Sequence, residues 1–145
     1  MIVPHEIRVI FGDTDQMGVV YYGNYMRYFE SARAAYWRAL GRSYQDLVEW
    51  DVAMPVVEAH CNYKQPARYE DLLVVEIEVI ELRGASLRFG YRITRAAAPA
   101  ALVAEGHTRH AIIGASGRPK ALPEQLRSAI AYVGPVGGGP KTAAI

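Results

Sequence analysis

Phe11-Gly12-Asp13-Thr14-Asp15-Gln16-Met17-Gly18-Val19-Val20-Tyr21-Tyr22-Gly23-Asn24-Tyr25 joins two segments of different periodicity through a turn that carries two carboxylates. Before it, His5 to Phe11 alternate polar and apolar with β-branched content and read as a first strand that ends at Gly12-Asp13. After it, Tyr22, Tyr25, Met26, Phe29, Ala32, Tyr36, Trp37 and Leu40 recur at helical spacing, and Gly41 stops the helix. The stretch therefore delivers an acid to a helix start, where backbone N–H groups lack intrahelical partners and partial positive charge collects. Such a terminus stabilises an oxyanion while a neighbouring Asp handles the attacking water, so two halves of a hydrolytic site lie close in sequence.

Outward from this junction the chain turns to strands. A short helix is expected over Ser43 to Trp50, with Ser43 as N-cap and Asp46 at the third helical position. Met54 to Tyr63, Leu72 to Leu82, Ser86 to Thr94 and Leu102 to Ile113 are rich in Val, Ile and Tyr and are separated by Pro66, Gly84, Pro99 and Gly114. Leu87, Phe89, Tyr91 and Ile93 alternate with Arg88, Gly90 and Arg92, which predicts a two-faced strand. Short links between consecutive strands favour an antiparallel sheet, and one sheet could bury the aromatic face of the long helix. Pro123 to Val133 reads as a last short helix with Leu126, Ile130 and Val133 on one side. The Gly- and Pro-rich run that follows reads as a mobile tail, which leaves a single domain over 1–133 and a tail over 134–145.

At 145 residues, half of them apolar, the chain suits one domain with a real core. A net charge of +1 supplies no basic field for nucleic acid, so an anionic partner must meet a local cluster. The single cysteine, Cys61, allows no intrachain disulfide and reads as a core thiol. The N-terminal residues show no basic segment followed by an apolar one, and no apolar run approaches the roughly 20 residues that span a bilayer. Cytoplasm, without membrane insertion, is the expected location.

The motif resembles the signature of the 4-hydroxybenzoyl-CoA thioesterase branch of the hotdog-fold family, which includes the acyl-CoA thioesterases associated with the Tol-Pal operon. Thr14-Asp15, Gly18-Val19-Val20-Tyr21, Asn24-Tyr25 and Phe29-Glu30 carry the resemblance together. It continues through Tyr63-Lys64-Gln65-Pro66-Ala67-Arg68-Tyr69-Glu70-Asp71, Ala104-Glu105-Gly106-His107-Thr108 and Gly117-Arg118-Pro119. It implies an α+β hotdog fold, an antiparallel sheet wrapped around one central helix, and hydrolysis of an acyl-CoA to a carboxylic acid and free CoA. It also implies a homodimer or homotetramer with its active site between subunits, and no metal or redox cofactor.

By the same resemblance Asp15 matches the catalytic aspartate, as nucleophile or general base, and the backbone N–H of Tyr22, with Gly23, is the oxyanion donor. The alternative reading of Asp15 is a turn former, and Asp13, after Gly12, reads as the maker of an Asx-type turn bond. Many bacterial relatives carry His where this chain has Tyr22 and Tyr where it has Phe11. Both departures move it toward the aromatic-CoA thioesterases. Glu30 reads as a surface or groove carboxylate paired with Arg27 or Arg33, or as a catalytic one as in another hotdog branch. Asn24 could bond the loop, the substrate or the first helical turn. Arg88, Arg92, Arg118 and Lys120 are the candidates for the CoA phosphates. His5, His60, His107 and His110 lack metal-ligand spacing, and His107 and His110 are expected on opposite faces of a strand. No Gly-x-Ser-x-Gly elbow or phosphate loop occurs. The competing readings are a hotdog hydratase, a non-catalytic acyl-CoA or acyl-carrier binding subunit, and a cell-envelope adaptor.

Overall fold

The computed structural model describes residues 1–133. The chain runs β1 (Val3–Arg8), a 3-10 turn (Phe11–Asp13), α1 (Asn24–Ala39), α2 (Tyr44–Glu49), β2 (Val56–Tyr63), β3 (Leu72–Leu82), β4 (Ser86–Arg95), β5 (Leu102–Ala111) and α3 (Glu124–Val133). Every expected element is present. The first strand is three residues shorter at its end than the alternation suggests, because Phe11 turns into the 3-10 bend. The helix starts at Asn24 and not at Tyr22, whose ring is 63% exposed and so lies off the buried face on which the spacing placed it. The tail expected over 134–145 lies outside the described residues.

The five strands form one antiparallel sheet in the order β1-β3-β4-β5-β2. Alternation decides which face meets the helix: Leu87, Phe89, Tyr91 and Ile93 of β4 are at most 1% exposed, as the period of two requires. α1 lies against that face. Phe29 stacks on Tyr91 with ring centroids 4.0 Å apart, and Tyr36 meets Phe89 edge-on at 5.3 Å. Tyr28 and Ala35 join the buried face of α1 beyond the positions that spacing picked out. α1 ends at Gly41 (φ +71°): the Gly41 amide donates to the carbonyl of Arg38 and the Arg42 amide to that of Trp37, satisfying carbonyls that the helix leaves open. Ser43 caps α2 as expected, its hydroxyl accepting from the Asp46 amide while its own amide donates 2.8 Å to the Asp46 carboxylate.

β2 forms an edge of the sheet. It pairs with β5 on one side, and Val56, Val57 and Tyr63 stand about half exposed along it. Gly106 of β5 lets the two strands meet closely: a Cβ there would fall 2.1 Å from the carbonyl oxygen of His60. Among the described residues no helix is long and apolar enough to cross a membrane.

Candidate active site

The loop from Asp13 to Tyr21 folds back on itself as a small hairpin. The Tyr21 amide donates to the Asp13 carbonyl and the Asp15 amide to that of Val19, while Gly18 (φ +75°) closes the tip by donating to the Asp15 carbonyl. The Val20 amide ties the hairpin to the Ala67 carbonyl at 2.8 Å. Asp13 ends the 3-10 turn, and the residue between the two acids, Thr14, is extended and bridges to Val20, so Asp15 begins the hairpin in a different backbone conformation.

Asp13 points toward α1 and is 4% exposed. Its carboxylate accepts from the Tyr28 hydroxyl at 2.8 Å, the Arg27 guanidinium at 3.1 Å and, at 3.5 Å, the Ile10 amide. The Asx-type turn expected of Asp13 is therefore absent; it is Asp15 that makes one, its Oδ1 accepting from the Met17 amide at 2.8 Å. Asp13 cannot turn outward to bond the backbone two residues on, because helix donors one turn above already hold both of its oxygens. The second oxygen of Asp15 has no protein partner among the described residues.

Asp15 lines a cavity of about 330 Å³ together with Met17, Tyr22, Tyr25, Tyr63 and Lys64. The start of α1 forms one wall. Its N-cap, Gly23, supplies no side-chain cap, and the amides of Tyr22 and Gly23 have no acceptor among the described residues. Asn24, one of the capping alternatives, instead donates its Nδ2 to the Asp13 carbonyl at 2.9 Å and so ties the loop to the helix. Tyr63, at the end of β2, donates its hydroxyl to the Tyr22 carbonyl at 3.1 Å and fixes the same peptide segment from the other side. Burial pushes the Tyr25 and Tyr63 hydroxyls up to about 12, with the nearby Cys61 thiol adding to both, so they are neutral donors at physiological pH.

The remaining candidates lie elsewhere. Glu30 is exposed and makes no ion pair among the described residues, so the expected pairing with Arg27 or Arg33 fails: Arg27 is held by Asp13, and Arg33 donates to the Tyr91 hydroxyl at 3.0 Å. Glu30 borders a second cavity, of about 460 Å³, with Asp13, Arg27 and Ser31. Arg88 pairs with Glu81 at 3.3 Å and Arg92 with Glu105 at 3.6 Å. Lys120 donates to the carbonyls of Trp50 and Asp51, and the exposed Arg118 follows the Gly114–Gly117 turn, its carbonyl accepting from the Gly114 amide. None of these four borders the Asp15 cavity. The basic residue that does is Lys64, which the sequence reading left without a role although it follows directly on the strand that brings Tyr63 there. His107 and His110 do face opposite sides of β5: His107 stacks on His60 at 5.3 Å, and His110 is buried in the core. Among the described residues no group of three or more His, Cys, Asp or Glu is placed to hold a metal ion.

Residues 17–98 match the family model of the thioesterase superfamily. Over 90 residues the chain is 41% identical to an acyl-CoA thioesterase of Haemophilus influenzae, a stretch covering 61% of this chain and 66% of that one. Over 128 residues it is 30% identical to a 1,4-dihydroxy-2-naphthoyl-CoA hydrolase of Synechocystis, covering 87% of this chain and 92% of that one. In three dimensions it is similar to a DHNA-CoA thioesterase from Staphylococcus aureus, with a TM-score of 0.84 and 28% identity over 91% of this chain and 90% of that one. A carboxylate beside an open helix start, a helix laid across an antiparallel sheet and these likenesses agree: the chain belongs to the hotdog-fold acyl-CoA thioesterase family of the thioesterase superfamily.

Proposed function

We propose that this chain hydrolyses acyl-CoA thioesters to the free acid and CoA in the Asp15 cavity. The observation that carries the assignment of residues is the meeting of a half-free carboxylate with two unbonded amides at the start of a 16-residue helix. The thioester carbonyl oxygen lies at the Tyr22 amide, with Gly23 beside it. There the helix terminus favours the negative charge that grows as the carbon becomes tetrahedral. The Met17 amide fixes one oxygen of Asp15, which leaves the other to take a proton from water or to attack the carbonyl carbon itself. The carbon–sulfur bond then breaks and CoA leaves as the thiol. Asn24 and Tyr63 position the peptides that carry the two roles, and Lys64 offers its charge to a CoA phosphate.

A second copy of the chain pairs along β2. An exposed eight-residue edge strand with half-exposed Val56 and Val57 is a template for another strand, and two-fold pairing covers it. Tyr63 then places the catalytic cavity at the seam. We place the protein in the cytoplasm, with residues 1–133 as its one domain. Thiol release from a panel of aliphatic and aromatic acyl-CoAs tests the activity. Turnover that disappears in Asp15→Asn while the dimer persists supports the reading, whereas binding without turnover in the native protein moves it to a carrier. Single turnover in oxygen-18 water separates the two chemistries, because label enters Asp15 only when the carboxylate attacks.

A further inference from the structure

A third cavity, of about 400 Å³, opens on the far half of α1 and is walled by Trp37, Leu47, Met54 and Phe89, with Arg33 and His110 as its basic side chains. Among the described residues no carboxylate borders it. Arg33 is half-buried and forms no ion pair among the described residues; its one protein bond is to the Tyr91 hydroxyl. A cation set in an apolar wall without a counter-charge is costly unless a ligand brings one.

The polar chain behind it shows that Arg33 has donors to spare. His110 Nδ1 is 2.9 Å from the Met54 carbonyl, which can only accept, so Nδ1 carries the proton. Burial, aided by the Arg33 charge, pushes the His110 imidazole down and keeps it neutral, so Nε2 accepts from Thr108 at 2.8 Å. The Thr108 oxygen in turn accepts from the Tyr91 hydroxyl at 2.6 Å, and Tyr91 accepts from Arg33. Every proton of Tyr91, Thr108 and His110 is thereby used, and the open donors beside the cavity belong to the guanidinium.

The cavity begins at Met54, just before β2, whereas the Asp15 cavity lies at Tyr63, where β2 ends. Within one subunit the length of β2, roughly 23 Å, separates them. Antiparallel pairing of two β2 strands about a two-fold axis places the Tyr63 end of one beside the Val56 end of the other. The seam then sets the Asp15 cavity against the Arg33 cavity of the partner subunit. We propose that this second cavity takes the distal end of the acyl group and that Arg33 reads a carboxylate there, which makes the substrate a CoA monothioester of a dicarboxylic acid. The inference rests on the thioesterase reading and names its substrate class. The chemistry is unchanged: water adds across the thioester and yields the dicarboxylate and CoA thiol.

The test compares adipoyl-CoA with hexanoyl-CoA, equal in length and different only in the terminal carboxylate. The native protein should favour adipoyl-CoA by about tenfold or more in kcat/KM, the worth of a charge-assisted bond. Arg33→Gln should bring that ratio near one, and Arg33→Lys should restore part of it. Mixed dimers of Asp15→Asn with Arg33→Gln should recover the adipoyl preference, since the shared site that keeps Asp15 then also keeps Arg33. Hexanoyl-CoA turnover without an adipoyl preference overturns the inference and leaves the thioesterase standing, and a mixed dimer without recovery overturns the shared cavity. Should no acyl-CoA be hydrolysed, the thioesterase reading fails and calorimetry decides the subsite. Hexanoate binding that hexan-1-ol does not share, and that Arg33→Gln abolishes, upholds it; no such binding overturns it.

Discussion

Asp13 and Asp15 stand two residues apart in one loop and meet opposite surroundings. Asp13 faces α1, is buried, and accepts from Tyr28, Arg27 and the Ile10 amide. Asp15 faces a cavity, is half exposed, and is held through one oxygen by the Met17 amide. A carboxylate with its lone pairs engaged by helix donors fastens the loop. One with an oxygen left over can handle a proton or a carbonyl carbon. The 3-10 turn holds Asp13 and the hairpin holds Asp15, so a change of backbone conformation between them separates the two tasks.

The sharpest way to break this comparison is to neutralise each acid in turn. Asp15→Asn should lower kcat by about a hundredfold to ten-thousandfold, as expected for loss of a general base or nucleophile, with the denaturant midpoint nearly unmoved. Asp13→Ala should act the other way round. It strands the buried Tyr28 hydroxyl while the exposed Arg27 stays solvated, and urea titration should show a loss of about 2 kcal/mol. Turnover surviving in Asp15→Asn while Asp13→Ala folds normally would exchange the two roles.

The tyrosines around the acids sharpen the contrast through pH. Tyr25 and Tyr63 on the Asp15 side are pushed by burial from 10.0 to about 12, and Tyr28, buried against Asp13, is raised as well. The fold favours the neutral phenols while the unfolded chain ionises them near 10. Their contribution is complete below that pH and is lost as pH rises from 10.0 toward about 12. Urea midpoints at pH 8, 10 and 11 should be level at first and then fall; a level profile throughout removes the tyrosines from the argument. The smallest effect belongs to Tyr63→Phe. Loss of its single bond to the Tyr22 carbonyl should cost about 1 kcal/mol of transition-state stabilisation, read as a several-fold drop in kcat with KM little changed.

Much of this was legible from local pattern. The period of two in β4, the helical spacing of Tyr25, Phe29, Ala32 and Tyr36, the Gly41 stop and the Ser43–Asp46 capping box all concern neighbours within about one turn or one pleat. The structure keeps each of them. The position of Asp15 in a loop that leads to a helix start was legible from the same local pattern, while the role proposed for it comes from the resemblance of its motif to a known signature. The contacts of Asp13, Glu30, Lys64 and Lys120 were not. Asp13 is matched by donors 14 and 15 residues on, and Lys120 by carbonyls 69 and 70 residues back. The pairing expected of Glu30 within its own helix loses Arg27 to an acid that the loop brings closer.

Sequence by itself therefore determined the elements, their order and the acid delivered to the start of α1, because periodicity, caps and turn residues act over a few positions along the chain. Only the tertiary structure decided which of two acids is locked and which faces open space, and that Tyr63 and Lys64 arrive from β2 to wall the cavity. Those outcomes depend on side chains that meet across dozens of residues. Their meeting is set by how α1 seats on the sheet and by the order in which the strands pair.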